Sequence, residues 1–166
     1  YKFHSHQSIN WASSVNTAAA NSQHGDVIVL EVQLPCPVTG TSVCPMEGRQ
    51  DVFDAVRNAT LAGKHVIAAA GNGTQNLDSA SFNNAFNRSV RDSGSIIVGA
   101  TNGVTLARAS FSNYGTIVDA NGWGFNVTTT GYTDLFFPNS DPRQKYTAVF
   151  SGTSSATPIV TSASAA

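Results

Sequence analysis

Three short runs of mostly apolar residues recur along the chain, with segments of helical periodicity between and around them. The apolar runs are 26–32 (DVIVLEV), 65–70 (HVIAAA) and 95–100 (SIIVGA). Because nearly every position in them is apolar, we expect strands that are buried on both faces of a sheet. Segments 7–22 and 49–62 instead space their apolar residues three and four positions apart, which predicts two helices.

The order of these segments predicts an α/β protein with a three-layer arrangement. Strands that alternate with crossover helices form a parallel sheet with right-handed connections, and helices cover both of its faces. Segment 101–150 predicts short strands and turns, and 153–165 predicts a closely packed helix of small residues. Such sheets carry their sites where strands end, so the segments after Val32 and Ala70 are the candidate positions for chemistry.

Composition narrows the kinds of protein that this sequence can be. Its 166 residues suit one domain, and only 11% of them are charged, against about 25% in typical soluble domains. The net charge is −1 with no basic run, so we expect no nucleic-acid partner. No apolar run approaches the roughly 20 residues that span a membrane. A surface rich in Ser, Thr, Asn and Gly is common on secreted enzymes, so we expect an extracellular protein.

Two cysteines, Cys36 and Cys44, lie in the turn-rich segment LPCPVTGTSVCP. The short spacing and the turn-forming residues favour a local disulfide between them. The alternative is a pair of free thiols. No histidine pair lies nearby, so a zinc site is not predicted.

The segment FSGTSSATPIV, residues 150–160, carries the clearest chemical signal. Gly152 permits a close approach of the backbone, and Ser154 falls at the start of a predicted helix. At that position, backbone N–H groups and the positive helix end face a developing negative charge. A serine at a helix start is nevertheless usually only a cap, so the physics alone leaves both interpretations open.

Several blocks of this sequence together resemble the subtilisin-like serine proteases, or subtilases. The blocks are GTSSATP at 152–158, AAAGNG at 68–73, ASFSNYG at 109–115, SIIVGA at 95–100, INWA at 9–12 and DVI at 26–28. They follow the order of the family and cover nearly the whole chain. The resemblance implies a partial subtilisin-like fold and a serine endopeptidase that acts on protein or peptide substrates.

The resemblance also implies the roles of two catalytic residues. Ser154 would attack the scissile carbonyl and form an acyl-enzyme, while the side-chain amide of Asn72 and the backbone N–H of Ser154 would bind the oxyanion. On local sequence alone, Asn72 would instead be a turn residue in the run Gly-Asn-Gly. The related sedolisins place an aspartate at the oxyanion position, so Asn72 argues against that group.

Two segments would form the walls of the substrate cleft. By position these are Glu31, Val32 and Gln33 on one side and Ala69, Ala70 and Gly71 on the other. The first wall departs from the Ser-Leu-Gly that is usual in the family. Glu31 either favours a basic substrate side chain or is a buried, hydrogen-bonded structural group, and the second reading is the one we favour here.

The Asp and His of the family's catalytic triad precede the first block and have no counterpart in this sequence. His4 and His6 lie too close to the INWA block, His24 lies in a loop, and His65 begins a strand, so none is a good general base. We therefore expect residues 1–166 to be an incomplete peptidase domain, without the Asp/His portion and the last helices. Alone it should be nearly inactive.

Two further expectations follow from this incomplete triad. A second chain could supply the missing Asp and His, or the chain could be a non-catalytic binding or structural module derived from the subtilase fold. The resemblance also allows a structural calcium ion, for which Asp78 and Asp92 offer oxygen atoms. No Asp-rich loop accompanies them, so the sequence predicts no metal site and no certain cofactor.

Overall fold

A computed structural model of the chain describes residues 10–132, 134–138 and 141–166. These residues contain three α-helices and eight strands. The helices are α1 (Trp11–Ala20), α2 (Gln50–Leu61) and α3 (Thr153–Ser164). The strands are β1 (Val27–Leu30), β2 (Gln33–Pro35), β3 (Val43–Pro45), β4 (His65–Ala69), β5 (Ile96–Thr101), β6 (Val118–Trp123), β7 (Val127–Thr130) and β8 (Tyr146–Phe150).

The central element is a parallel sheet with the strand order β1-β4-β5-β6. Val27 pairs with His65, and Ile67 pairs with Ile96, so successive strands lie side by side in sequence order. The three predicted strands are all present. The fourth, β6, comes from the region where the sequence indicates only short strands, because its polar residues alternate with apolar ones (VDANGW). Two antiparallel pairs, β2-β3 and β7-β8, complete the structure.

Helices cover both faces of the sheet, which confirms the predicted three-layer arrangement. Neighbouring residues of β4 face opposite sides, as the period of a strand requires. Val66 packs with Val15 of α1 and Val52 of α2. Ile67 packs instead with Ala156 of α3. Among the described helices, α3 is the one that covers this face, and its amino end lies at the edge where the strands finish.

Local sequence accounts for where the helices begin and end. The Asn10 side chain accepts a hydrogen bond from the Ser13 N–H at 3.0 Å and caps α1. Gly63 follows α2 with a φ of 77°, a left-handed conformation that is common just after the end of a helix. The predicted first helix extends to residues 7–9, which lie outside the described residues. No helix in the described segments combines the length and the apolarity needed to cross a bilayer.

The predicted disulfide between Cys36 and Cys44 is present. Cys36 follows β2, and Cys44 lies in β3 and pairs with Leu34 of β2, so the bond joins the two sides of the hairpin next to its turn. Both cysteines are almost fully buried and pack with Ala68, Ala70 and neighbouring aromatic rings. The disulfide thus anchors the segment after β1 against the end of β4.

Replacing both cysteines by serine should lower the free energy of unfolding by about 2–3 kcal/mol, because the bond closes a short loop in the unfolded chain. Chemical denaturation of the variant and of the reduced wild type measures this loss. The two should agree within error. A loss below 1 kcal/mol in both would mean that the hairpin is held by its packing alone.

Candidate active site

The loop that leaves the carboxyl end of β4 carries Asn72. Gly71 has a φ of 91°, which a residue with a side chain rarely adopts. A Cβ atom at that position would also lie 2.8 Å from Nδ2 of Asn113. Both constraints require glycine immediately before Asn72, and both come from the way the loop turns out of the sheet.

Asn113 holds this loop in place from inside the protein. Its Nδ2 donates to the carbonyl oxygens of Ala70 at 2.7 Å and Val43 at 2.9 Å. Its Oδ1 accepts from the N–H groups of Gly73 at 3.1 Å and Gln75 at 2.8 Å. The side chain is 1% exposed, and its amide is saturated with backbone partners. Asn113 of the ASFSNYG block thus holds the AAAGNG block in place.

The amide of Asn72 is oriented by Thr153, the first residue of α3. The backbone N–H of Thr153 and its hydroxyl both donate to Oδ1 of Asn72, at 2.8 and 2.9 Å. The Thr153 hydroxyl in turn accepts from the N–H of Gly71 at 3.1 Å. Because Oδ1 is occupied by two donors, the NH₂ group of Asn72 is directed away from Thr153.

Ser154 lies beside that NH₂ group. Nδ2 of Asn72 and Oγ of Ser154 lie 3.1 and 3.2 Å from the point that a Cβ on Gly152 would occupy. The 82 positions that separate Asn72 from Ser154 in the sequence are thus bridged by the fold. Gly152 has a φ of 132°, in a region that favours glycine, and its lack of a side chain leaves the space between the two groups open.

Two N–H donors at this point have no acceptor within the described segments. They are Nδ2 of Asn72 and the backbone N–H of Ser154, which belongs to the first turn of α3. The following N–H groups, of Ser155 and Ala156, donate to the carbonyl of Gly152. First-turn N–H groups have no partner within their helix. The site therefore presents two free donors next to a serine hydroxyl.

A cleft of about 500 Å³ opens next to Ser154. Its lining consists of one carboxylate, a strand rich in threonine, two aromatic rings and the exposed face of α3: Glu31, Val127, Thr128, Thr129, Thr130, Gly131, Tyr132, Phe150, Ser154, Ser155, Pro158, Ile159 and Ser162. The predicted wall at 31–33 reaches this cleft only through Glu31. Residues 127–132, which the sequence did not single out, form much of it.

The other predicted wall residues lie close to the site without lining this cleft. Oε1 of Gln33 accepts from the backbone N–H of Asn72 at 2.6 Å, so it links the two predicted walls. Val32 packs against the core beside α1 and α2. Ala69 and Ala70 are buried at the end of β4. The backbone N–H of Gly71 donates a hydrogen bond to the hydroxyl of Thr153.

Glu31 differs from its expected structural role. Its side chain is exposed, and it makes no hydrogen bond or ion pair with any described residue. The reading as a buried, hydrogen-bonded group therefore does not describe it. The protein around the carboxyl still displaces some water, and this partial burial raises the pKa of Glu31 above its ordinary value.

The histidines that can be placed lie at the opposite edge of the sheet. His65 begins β4, while Asn72 follows the end of that strand. His24 precedes β1 and contacts Gly63, after α2. Neither is near Ser154. His4 and His6 lie outside the described residues.

The carboxylates named as calcium ligands are already used by the protein. Asp78 accepts from the N–H and the hydroxyl of Thr116. Asp92 pairs with Arg88 at 2.7 Å and accepts from the N–H of Gly94. Within the described segments, no group of three or more His, Cys, Asp or Glu side chains could hold a metal ion. A structural calcium ion stays an expectation from the family resemblance.

The sheet, its covering helices and the serine at the start of α3 define an α/β protein whose candidate site lies at the carboxyl edge of a parallel sheet. Its sequence matches the family model described as the Subtilase family over residues 7–166. The chain therefore belongs to the subtilase family.

Individual relatives support this assignment. The chain is 41% identical over 111 residues to the extracellular serine proteinase of Thermus sp. (strain Rt41A), an alignment that covers 67% of this chain and 23% of that protein. Its fold is similar to a cold-adapted subtilisin-like serine proteinase, with a TM-score of 0.62, 22% identity, and coverage of 93% of this chain and 45% of the other. Its fold is also similar to that of the nisin leader peptidase NisP from Lactococcus lactis. That match has a TM-score of 0.61 and 21% identity, and it covers 93% of this chain and 50% of the other.

The extent of these matches limits what they imply. At 22% and 21% identity, the two solved structures establish the fold alone. The chain spans about a quarter of the length of the curated relative and about half of each solved structure. The activity of a complete protease is therefore a separate question from family membership.

Replacing Gly152 by alanine should destabilise the protein more than the same change at Gly131. Both glycines have a strongly positive φ, which costs alanine about 1–3 kcal/mol. Only at Gly152 would the methyl group also crowd Asn72 and Ser154, since Gly131 has open space around it. Denaturation curves measure the difference, and the NMR signals of the Asn72 amide should shift in the Gly152 variant alone. Equal losses and an unshifted amide would contradict the close approach.

Proposed function

We propose that this chain carries the nucleophile and the oxyanion-binding groups of a subtilisin-type serine endopeptidase. The observation that carries this proposal is the convergence of Oγ of Ser154 and Nδ2 of Asn72 beside Gly152. Membership of the subtilase family supports it, as does the name of the Thermus relative, a serine proteinase. Protein or peptide substrates follow from this class of reaction.

The proposed chemistry uses each group in one step. Oγ of Ser154 attacks the scissile carbonyl carbon, its proton passes to a base, and the carbonyl oxygen becomes an oxyanion. Nδ2 of Asn72 and the backbone N–H of Ser154 donate to that oxygen. Collapse of the intermediate breaks the C–N bond, the amine leaves with a proton, and an ester on Ser154 remains. Water then hydrolyses the ester and restores the hydroxyl.

The hydrogen bonds of Thr153 give this oxyanion hole its rigidity. They hold the Asn72 amide before any substrate arrives, so little reorganisation is needed when charge develops. Donors that are fixed in advance stabilise a transition state better than donors that must turn to face it. In subtilisin, loss of the corresponding asparagine reduces turnover about 10²–10³-fold.

We further propose that the general base comes from outside the described residues. A serine hydroxyl without a nearby base is a weak nucleophile, and the histidines His24 and His65 lie at the far edge of the sheet. An Asp and a His supplied by another segment or by a second chain would complete the triad. Without them this chain should be almost inactive.

Secretion is the location that we propose for this protein. Cys36 and Cys44 are joined, and disulfides persist in oxidising compartments. The Thermus relative is described as extracellular. Expression with export to the bacterial periplasm or the culture medium should therefore give a higher yield of disulfide-bonded protein than cytoplasmic expression.

A fluorophosphonate probe tests the proposed nucleophile. The folded chain should be labelled at Ser154, slowly by itself and faster when imidazole is added as an external base. Ser154→Ala should abolish labelling, whereas Ser155→Ala should retain it. Asn72→Ala should slow labelling about 10²–10³-fold, because the phosphonyl oxygen loses a donor. Peptide mass spectrometry locates the label.

Circular dichroism of each variant serves as the control for folding. If the folded wild type is unlabelled even with imidazole, or if labelling survives Ser154→Ala, the proposed nucleophile is wrong. The first of these outcomes would support the alternative of a non-catalytic binding or structural module.

A further inference from the structure

Three asparagines of the chain, Asn72, Asn102 and Asn121, are each followed by glycine. In such a pair the backbone nitrogen of the glycine can attack the side-chain carbon Cγ of the asparagine, because no side chain shields that nitrogen. A C–N bond forms, Nδ2 leaves as ammonia with the proton of the glycine N–H, and water opens the succinimide ring to aspartate or isoaspartate. One of these three pairs contains the proposed oxyanion donor.

The other two pairs lie in contrasting surroundings. Asn121 and Gly122 belong to β6, whose backbone pairs with β5, and Gly122 is buried against the backbone of Ala156. Asn102 and Gly103 lie in a turn after β5, and no described residue accepts a hydrogen bond from the N–H of Gly103. The fold thus restrains one pair within a sheet and leaves another, at 102–103, in an open turn.

Glycine at position 73 is required by the fold. A Cβ atom there would lie 2.2 Å from the carbonyl oxygen of Val43 and 2.6 Å from Oγ of Ser42. These contacts press the hairpin of β2 and β3 against the loop that carries Asn72. A larger residue, which would shield the nitrogen that follows Asn72, therefore has no room, and the reactive pair is retained.

The side-chain amide of Asn72 is itself prepared for attack. The N–H and the hydroxyl of Thr153 donate to Oδ1 of Asn72 at 2.8 and 2.9 Å. Two donors on a carbonyl oxygen stabilise the negative charge that develops when its carbon is attacked. Nδ2, the group that would leave, has no acceptor among the described residues, and Asn72 is only half-buried, so water can reach it. The contacts that orient this amide thus also make its carbon electrophilic.

The attacking nitrogen, that of Gly73, is held by Asn113. Oδ1 of Asn113 accepts from the N–H of Gly73 at 3.1 Å. Nδ2 of Asn113 is bound to the carbonyl oxygens of Ala70 and Val43, so the acceptor is itself fixed. Attack on Cγ requires the Gly73 peptide to turn and to lose its proton, and an amide oxygen is too weak a base to take that proton. The bond between Gly73 and Asn113 must therefore break first.

We propose that Asn72 is a latent site of spontaneous deamidation and that Asn113 protects it by holding the backbone nitrogen of Gly73. When this bond opens, ring closure and hydrolysis convert Asn72 to aspartate or isoaspartate. The product carries a carboxylate where Asn72 carried an NH₂ donor. The deamidation does not depend on the proposed function, whereas its consequence, the loss of an oxyanion donor, rests on it.

The first experiment measures deamidation of the wild-type chain. Folded protein and protein in urea are incubated at mildly alkaline pH, and peptide mass spectrometry follows the products at Asn72 and Asn102. Relative to its own rate in urea, Asn72 should react at least about 100-fold more slowly in the folded protein, because a local opening must precede ring closure. Asn102 should slow much less. Deamidation of Asn72 in the folded protein at the rate of the unfolded chain would overturn the proposal.

Asn113→Ala tests the protecting residue. In the folded variant the rate at Asn72 should rise at least about tenfold, as the loss of a hydrogen bond implies, while the rate at Asn102 stays the same. The matched control is Val56→Ala, which removes buried methyl groups from α2 and lowers the free energy of unfolding without contacting the loop. It should leave the rate at Asn72 near the wild-type value. Equal acceleration in both variants would mean that global stability alone protects Asn72, and the role of Asn113 would be wrong.

Hydrogen exchange of the wild type decides the question if circular dichroism shows that Asn113→Ala does not fold. The N–H of Gly73 should exchange slowly, because Asn113 accepts its hydrogen bond. The N–H of Gly103 should exchange fast. If the two exchange equally fast, Asn113 does not hold the nitrogen and the proposal fails.

A further variant separates this proposal from the proposed function. Asn72→Asp is one of the two deamidation products, and the fluorophosphonate probe should label its Ser154 about 10²–10³-fold more slowly, because the donor is lost. Unchanged labelling would mean that Asn72 is not an oxyanion donor, whereas the deamidation rates would still decide on Asn113. Slow labelling of Asn72→Asp together with unprotected Asn72 in the folded wild type would leave the proposed function standing and overturn this proposal.

Discussion

The geometry of the site depends on one pair of hydrogen bonds, in which the N–H and the hydroxyl of Thr153 both donate to Oδ1 of Asn72. These bonds join the end of β4 to the start of α3, two segments that are far apart in sequence. They also decide which end of the amide is available, since the oxygen is occupied and the NH₂ group is left for a ligand. The position of Ser154 follows from the same contact, because it is the next residue in the helix.

Around this contact, the structure supplies support from several directions. Asn113 fixes the loop from the interior, Gln33 holds the backbone of Asn72, and Gly71 and Gly152 allow the close approaches. The disulfide at Cys36 and Cys44 stabilises the segment that packs beneath the loop. A network that saturates the Asn113 amide and occupies Oδ1 of Asn72 favours one arrangement of the Asn72 amide over its alternatives. It gives rigidity to a site that is otherwise made of loop and helix ends.

Much of the fold could be predicted from sequence, and the reasons lie in particular segments. The runs at 65–70 and 95–100 are nearly all apolar, which is typical of strands that are buried on both faces of a parallel sheet. The sequence analysis covers β6 only by the short strands expected in 101–150, because its alternating polar residues resemble a surface strand, although α3 packs against it. The aromatic rings of Tyr132 and Phe150 reach the cleft through tertiary contacts, which no local pattern reveals.

In the site, too, sequence motifs point to individual residues, whereas the contacts between distant segments become visible only in the structure. The GTSSATP and AAAGNG blocks direct attention to Ser154 and Asn72 through resemblance, and the structure brings these two residues together. The partner of Asn72 was not predicted, although Thr153 lies within the quoted block, because its role depends on a contact across the sheet. The sequence alone allows two interpretations of Glu31, as a contact for a basic substrate side chain or as a buried, hydrogen-bonded group. Its exposure and its lack of hydrogen-bond partners among the described residues argue against the second.

The hydrogen bonds that converge on the Asn72 loop also affect the stage of folding at which the site forms. The contacts from Gln33, Asn113 and Thr153 span 39, 43 and 81 positions of the chain. Pairings of such long range form late, since their closure entropy must be overcome by the packing of the intervening segments. A newly made chain therefore lacks the assembled donors until its sheet is complete.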